Sequence, residues 1–261
     1  MMASSPNLSP LVSKFARRSP LGTADSEKLL GLRHRIMELD PNELLVAEGD
    51  ELSHCHVVLS GYVFCHKVTG EGARQIVSLH MRGDIVNPSG LALDVAGYNI
   101  QTLTRATVAS IPRAALLDLV WRRPAIGAAL MTEIGVTAAL LGEWLVGIGR
   151  RDARARICHL MCEIAARQQD AGICDGSDYE WPMTQEQIGD ATGLTSVHVN
   201  RTLRQLRAEG YFRTAGRRVT VHDWSKLWEV GDLGTNRLAR PMAWVTRFIR
   251  EARPARSIQA G

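Results

Sequence analysis

Between Thr195 and Arg218 the chain carries six arginines, Arg201, Arg204, Arg207, Arg213, Arg217 and Arg218, against one glutamate, Glu209. A guanidinium group is a planar fork of donors that matches phosphate oxygens and the acceptor edge of guanine, so this concentration suits a polyanionic partner. Two other groupings carry reactive side chains. His54, Cys55, His56, Cys65, His66 and His80 lie along short apolar runs, and imidazole and thiolate ligands suit a transition metal or a haem iron. If those runs are strands, alternation turns His56 and Cys65 inward and His54, Cys55 and His66 outward, which separates the set. Cys158 and Cys162 are one helical turn apart, a spacing that serves a metal, a redox pair or plain core packing.

The arginines need a rigid carrier. Met183 to Thr195 reads as a helix beginning near Thr184, a turn at Gly193 and a Thr195 N-cap for a second helix, Ser196 to Glu209. That second helix places Val199, Leu203 and Leu206 inward and leaves His198, Arg201, Arg204, Gln205 and Arg207 elsewhere. Gly210 to Thr214 and Val219 to Val221, joined through Ala215-Gly216-Arg217-Arg218, read as a hairpin with a basic tip. This is the pattern of a winged helix-turn-helix, whose second helix fits a DNA major groove and whose wing meets backbone phosphates. The candidate DNA-binding residues are Thr184, Gln185, Thr195, Ser196, Val197, His198, Arg201, Arg204, Arg217 and Arg218.

Upstream, from Glu43 to Ile111, short β-branched runs punctuated by glycine imply an antiparallel barrel or roll. Ser60-Gly61 reads as a hairpin turn that sets His56 opposite Cys65. After Pro112 the period lengthens, and Leu130, Ile134, Thr137, Leu141, Trp144 and Ile148 share one seam, which predicts a long helix joining two copies in parallel or, failing that, a stripe packed on its own roll. Gly147 to Asp152 reads as a hinge before another amphipathic helix, Ala153 to Gln168. The fold class is therefore α+β: an N-terminal antiparallel β-roll of jelly-roll type, a long dimerisation helix and a C-terminal winged helix-turn-helix. The expected divisions are a flexible arm at 1–25, with a short helix following near Ser26 to Arg35, the roll at 26–120, the dimerisation helix at 121–150, the winged domain at 151–223, and an extension of unknown role at 224–261, including a basic amphipathic stretch from Leu238 to Arg250.

The chain has 261 residues, 45% of them hydrophobic, and a formal net charge of +4; this suits about two domains and a mildly basic partner surface. Five cysteines, an odd number, and no apolar leader before the roll point to reduced thiols in the cytoplasm. The apolar run from Ile126 to Ile148 contains Thr132, Glu133, Thr137 and Glu143, so no membrane association is expected.

Three stretches together resemble the Crp/Fnr family of bacterial regulators over roughly Glu43 to Asp223: Glu48-Gly49-Asp50 through Val58 and Gly61 to Gly83-Asp84, then Asp152-Ala153-Arg154-Ala155-Arg156-Ile157, then Thr184 to Arg201. The resemblance implies a non-enzymatic transcription regulator, with double-stranded DNA, a second copy of itself and RNA polymerase as partners. It implies that Ser196, Val197 and Arg201 read base edges, and the family's usual Arg and Glu are absent from the first two. The positions that hold ribose and cyclic phosphate in cyclic-AMP-binding members read Asn87-Pro88 and Tyr98-Asn99 here, and the base-contacting pair of the helix reads Leu141-Gly142. No cyclic nucleotide is expected, and the effector pocket is assigned to Asn87, Ser89, Tyr98 and Asn99. No cysteine precedes Cys55, so the iron–sulfur cluster of oxygen-sensing members is not expected either.

Two rival readings stand beside this one. Gly49 with His54-Cys55-His56, and Gly83 with Pro88-Ser89-Gly90, faintly resemble cupin metal motifs, but the expected Glu and second His are missing. A structural scaffold with a basic wing for acidic partners would bind DNA without sequence preference.

Overall fold

The structure, a computed structural model, describes residues 6–86, 88–174 and 178–233, apart from the side chain of Ser89. The β-branched runs form two four-stranded antiparallel sheets. The first has the order β1 (Arg35–Leu39), β8 (Ala106–Pro112), β3 (His54–Ser60), β6 (Ile85–Val86); the second has β2 (Leu44–Val46), β7 (Asn99–Thr102), β4 (Val63–Val68), β5 (Arg74–His80). Val58, Val86 and Val108 from one sheet and Val63, Cys65 and Ile100 from the other share one core, which makes the pair a jelly-roll-like sandwich.

Consecutive strands β3 and β4 belong to different sheets, so Ser60-Gly61 is a corner and not a hairpin turn. Gly61 has φ 76°, and a Cβ there would overlap the Arg105 carbonyl, so glycine is what lets the corner pass beneath the β7–β8 connection. His56 accordingly faces Ser110 and Val86, and Cys65 faces Ser78 and Ile100.

The far face of the first sheet is also covered. Cys55, Val57 and Leu59 of β3 pack with Leu8, Leu11 and Phe15 of the first chain segment, Leu29, Leu116, Ile126, Ala129 and Leu130. These come from α1 (Ser9–Arg18), α2 (Thr23–Leu30), α3 (Arg113–Arg122) and the start of α4 (Pro124–Arg150), with Leu8 just before α1. The expected loose arm is therefore wrong for residues 9–18, and the helix expected near Ser26 to Arg35 starts at Thr23 and gives way to strand at Arg35. The apolar positions Leu8, Leu11 and Phe15 recur at helical spacing, a signal masked by the Ser and Pro around them.

Charge secures α1 as well. Lys14 Nζ meets Asp84 Oδ1 and lies 2.7 Å from Glu133 Oε2, while Arg18 Nε is 2.9 Å from Glu133 Oε1. All four side chains are 10% exposed or less, so their charges are balanced inside the protein. Asp84 also accepts from the Met81 amide at 2.9 Å. The cluster joins α1, the β5–β6 turn and α4.

Downstream, α5 (Ala153–Asp170) packs on α6 (Gln185–Thr192), α7 (Ser196–Ala208) and α8 (Trp224–Val230), beside a three-stranded sheet ordered β10 (Phe212–Ala215), β11 (Arg218–Val221), β9 (Asp178–Glu180). Leu227 and Trp228 of α8 are buried, so residues 224–230 belong to this unit and not to a separate extension. The stretch Leu238 to Arg250 lies outside the described residues. The chain divides into two compact units, Met1–Leu141 and Gly142–Gly261, and the division falls within α4, before the break expected near Gly147 to Asp152.

Replacing Lys14 by Met removes one of the two cations of this cluster, leaving Arg18 beside Glu133 and two buried carboxylates. Urea denaturation of the first unit is expected to show a loss of about 3–5 kcal/mol; a loss below about 1 kcal/mol, the range of an exposed pair, contradicts the buried-cluster account.

Candidate nucleic-acid interface

Two caps and two glycines build the helix-turn-helix. Thr184 Oγ1 accepts from the Gln187 amide at 3.2 Å and the Gln187 side chain accepts from the Thr184 amide at 2.8 Å, a reciprocal capping box that starts α6. Thr195 Oγ1 accepts from the His198 amide at 3.3 Å and starts α7. Gly193 ends α6 with φ 67°, a left-handed cap. Gly189, which the sequence alone did not single out, lies where a Cβ would run into the Leu194 carbonyl, and the Leu194 amide donates back to the Gly189 carbonyl at 3.1 Å. The turn is held by that close approach.

With Val199, Thr202, Leu203 and Leu206 buried, α7 presents Ser196, Val197, Arg201, Arg204 and Gln205 to solvent. Val197 is 77% exposed, an apolar group at the start of the helix that no described residue covers, suited to a thymine methyl. Gln185 Oε1 accepts from Asn200 Nδ2 at 2.8 Å, which ties α6 to the face of α7. Asn200 was not foreseen; its signal is its place between Val197, Arg201 and Arg204 on one helical face. Thr184 and Thr195 are exposed but serve as caps, and His198 is half-buried.

The hairpin of β10 and β11 closes through Gly216 and Arg217, with Ala215 opposite Arg218. Both arginines are exposed, but Arg218 is paired at 2.9–3.0 Å through two nitrogens with Asp178 of β9, a strand the sequence reading omitted. Arg217 is thus the better placed of the two for an external anion.

Behind the reading face, α5 supplies two positioning arginines. Arg154 binds Glu209 at the end of α7 through both guanidinium arms and stacks 5.0 Å from the Tyr211 ring. Its hydrogen bonds to Glu209 raise the Arg154 pKa, and the same contact lowers that of Glu209. Arg156 Nη1 donates to the Thr192 carbonyl at 3.0 Å, at the end of α6. Asp152 caps α5 by accepting from Ala155, and Arg151 is bound to Glu143 at 2.7 Å, so the expected hinge is laced by side chains. Seen from the sequence, Asp152 to Ile157 carried only a family resemblance.

The other candidate groups are dispersed. Cys55 faces the helical layer, Cys65 the sandwich core, and His54 is exposed, while His66 is buried despite its expected outward position. Alternation separates Cys55 from His56 and Cys65 from His66, but it places His54 on the face of His56, and His54 is exposed because it begins β3. Desolvation raises the Cys55 and Cys65 thiols to about 11 and lowers His56 to about 4. Among the described residues no group of three or more His, Cys, Asp or Glu side chains is placed to hold a metal. Cys158 and Cys162 are both fully buried; burial lifts Cys158 to about 12 and Cys162 well above its usual range, which disfavours the thiolate that redox chemistry needs.

A cavity of about 170 Å³ opens between the roll and α4, lined by Cys65, Val77, Ser78, His80 and Tyr98 on the roll side. Ile134, Thr137, Ala138 and Leu141 form its helical side, and Pro88 its rim. Of the expected pocket residues that are described with their side chains, Tyr98 lines it and Asn99 does not. Asn99 instead accepts from the Glu48 amide at 3.1 Å, and Asn87 and the Ser89 side chain lie outside the described residues.

The expected seam is partly used within the chain. Leu130 is buried in the core beneath α4, Thr137 lines the cavity, and Trp144 Nε1 donates to Glu163 Oε2 at 2.6 Å. Ile134 is half-buried, and Leu141 and Ile148 are exposed. The apolar row left on the surface is Met131, Ile134, Ala138, Leu141, Leu145 and Ile148, stepping by three and four; Met131 and Leu145 are 67% and 72% exposed.

Comparison with known proteins gives two family matches: the cyclic nucleotide-binding domain over residues 36–123 and the Crp-like helix-turn-helix domain over residues 155–230. The chain is similar to the transcriptional activator protein FnrL of Cereibacter sphaeroides, 24% identical over 81% of this chain and 87% of that protein. It is also similar to the anaerobic regulatory protein of Haemophilus influenzae, 23% identical over 87% of each chain. Among solved structures, FixK2 from Bradyrhizobium japonicum superposes with a TM-score of 0.70 at 21% identity, covering 76% of this chain and 98% of that one.

Gly189→Ala opposes two effects: alanine favours a helix interior by about 1 kcal/mol, and its methyl forces the turn apart at about 1–3 kcal/mol. Because the obstacle is backbone, net destabilisation of the winged unit is expected in thermal unfolding, and a neutral or higher melting temperature contradicts the packing argument.

Proposed function

Since the chain belongs to the Crp/Fnr family of transcription regulators and carries its DNA-binding helix-turn-helix, we propose that it acts as a homodimer on a pseudo-palindromic operator, in the cytoplasm and without a catalytic step. The observation that carries this reading is the exposed face of α7, where Ser196, Val197, Arg201 and Arg204 stand together beside the Gln185–Asn200 pair. Two such faces enter successive major grooves, about 34–36 Å apart along the duplex. Arg201 makes the bidentate guanine contact and Val197 meets a thymine methyl. Gln185, Thr184 and Arg217 hold backbone phosphates, and Arg218 does so only by leaving Asp178. RNA polymerase is the further partner at the promoter.

The second copy packs along the row from Met131 to Ile148, parallel to the first, because that row is apolar, regular and, apart from the half-buried Ile134, exposed. Control comes through an effector in the first unit. A cyclic nucleotide does not fit the cavity lining, which among the described residues has no cationic side chain for a ring phosphate. Nor does the chain offer cysteines before Cys55 for an iron–sulfur cluster, and four of its five thiols are buried.

Selection of bound sequences from a random duplex pool tests the proposal. An enriched palindrome is expected; Arg201→Ala should weaken binding by about 1–3 kcal/mol and relax selectivity at one base pair in each half-site. Arg217→Ala should weaken all sequences alike and lower the salt dependence. Salt-sensitive binding with no enriched sequence contradicts the proposal and favours the scaffold reading.

A further inference from the structure

The cavity beneath α4 discriminates among ligand classes by size and by charge. Its volume of about 170 Å³ is close to the roughly 150 Å³ of a dry apolar cavity that takes benzene, and below the roughly 300 Å³ where pockets for drug-sized ligands begin. A cyclic nucleotide or a haem brings acidic groups that need a cation to offset desolvation. Among the described residues none of those lining it is Lys, Arg, Asp or Glu. Two polar side chains of the wall meet at one nitrogen: Ser78 Oγ lies 2.9 Å from His80 Nε2, and Cys65 Sγ lies 3.6 Å from the same nitrogen. Burial pushes the Cys65 thiol up to about 11, so the sulfur is a neutral wall group.

We propose that this cavity binds an uncharged molecule of about six to ten non-hydrogen atoms, a single aromatic ring or compact alkyl group carrying one hydroxyl, which hydrogen-bonds to the Ser78–His80 pair. The proposal rests on the regulator reading, for which it supplies the class of effector. Its regulatory consequence follows from position. Ala138 and Leu141 line the cavity and also belong to the exposed row of α4, so an occupant touches the side chains against which the second copy packs. Filling the cavity restores dispersion contacts on the inner side of these residues and fixes the rotation at which α4 presents its row.

Isothermal titration calorimetry on the full-length protein tests this with benzyl alcohol, toluene and cyclic AMP as probes. Benzyl alcohol is expected to bind tighter than about 1 mM, toluene several-fold more weakly, and cyclic AMP without saturable heat. Val77→Phe, which fills the cavity from the roll side and away from the exposed row, should weaken benzyl alcohol at least tenfold. Ser78→Ala should bring benzyl alcohol down to the affinity of toluene. Absence of saturable binding by both small probes, saturable binding of cyclic AMP, or unchanged benzyl alcohol affinity in Ser78→Ala overturns the proposal, the last even if Val77→Phe fails to fold. Duplex selection on the same preparations separates the two readings: selected DNA without probe binding removes the ligand and keeps the regulator, and probe binding without selected DNA does the reverse.

Discussion

A 27-residue helix that is apolar on more than one side cannot stand in water alone, and the arrangement of this protein follows from how α4 is covered. Its inner side is closed by the chain itself: Ile126, Ala129 and Leu130 enter the core shared with β3, α1 and α2. Glu133 is held there by Lys14 and Arg18, so even the acidic residue in that stretch anchors the helix to its own unit. Where the helix leaves the roll, packing is incomplete and the cavity remains. In the outer row, from Met131 to Ile148, Ile134 still packs against the core, while Met131, Ala138, Leu141, Leu145 and Ile148 are exposed, and in our account a second copy covers them.

Features that depend on local physics were legible in the sequence. Caps at Thr184 and Thr195, the left-handed Gly193 and the basic hairpin are each written in a few adjacent residues, and α6, α7 and the wing lie where those residues place them. What was lost depends on contacts distant in sequence. Ser60-Gly61 has turn chemistry, but sheet membership is decided by β7 and β8, some forty residues later. Cys55 and His66 follow strand alternation, yet what covers each face depends on elements elsewhere in the chain. The seam was displaced by one residue at Leu130, Thr137 and Trp144 because apolarity cannot tell a side chain used by its own core from one left for a partner. Arg154 and Arg156 were hidden for the same reason: a surface arginine and one that grips the end of a neighbouring helix look alike before folding.

The two units divide the physical problem. In the second, a small set of donors is rigidly mounted: α5 grips the ends of α6 and α7, and the Gly189–Leu194 contact sets their crossing. Rigidity there favours reading base edges, which requires donors at fixed spacing. In the first, an incompletely filled space lies directly under residues of the exposed row. In our account binding at one side of α4 is thereby linked to packing at the other, the minimum that a ligand-controlled dimer needs.

The central claim is that the row on α4 joins two chains. Sedimentation equilibrium of the wild-type protein and of Leu145→Glu addresses it most directly, because Leu145 is 72% exposed and its replacement disturbs no core within the chain. The account predicts a dimer for the wild type and a folded monomer for Leu145→Glu, since a carboxylate within the paired row is buried without a counter-charge. A Leu145→Glu protein that remains a dimer at the same concentration would contradict it.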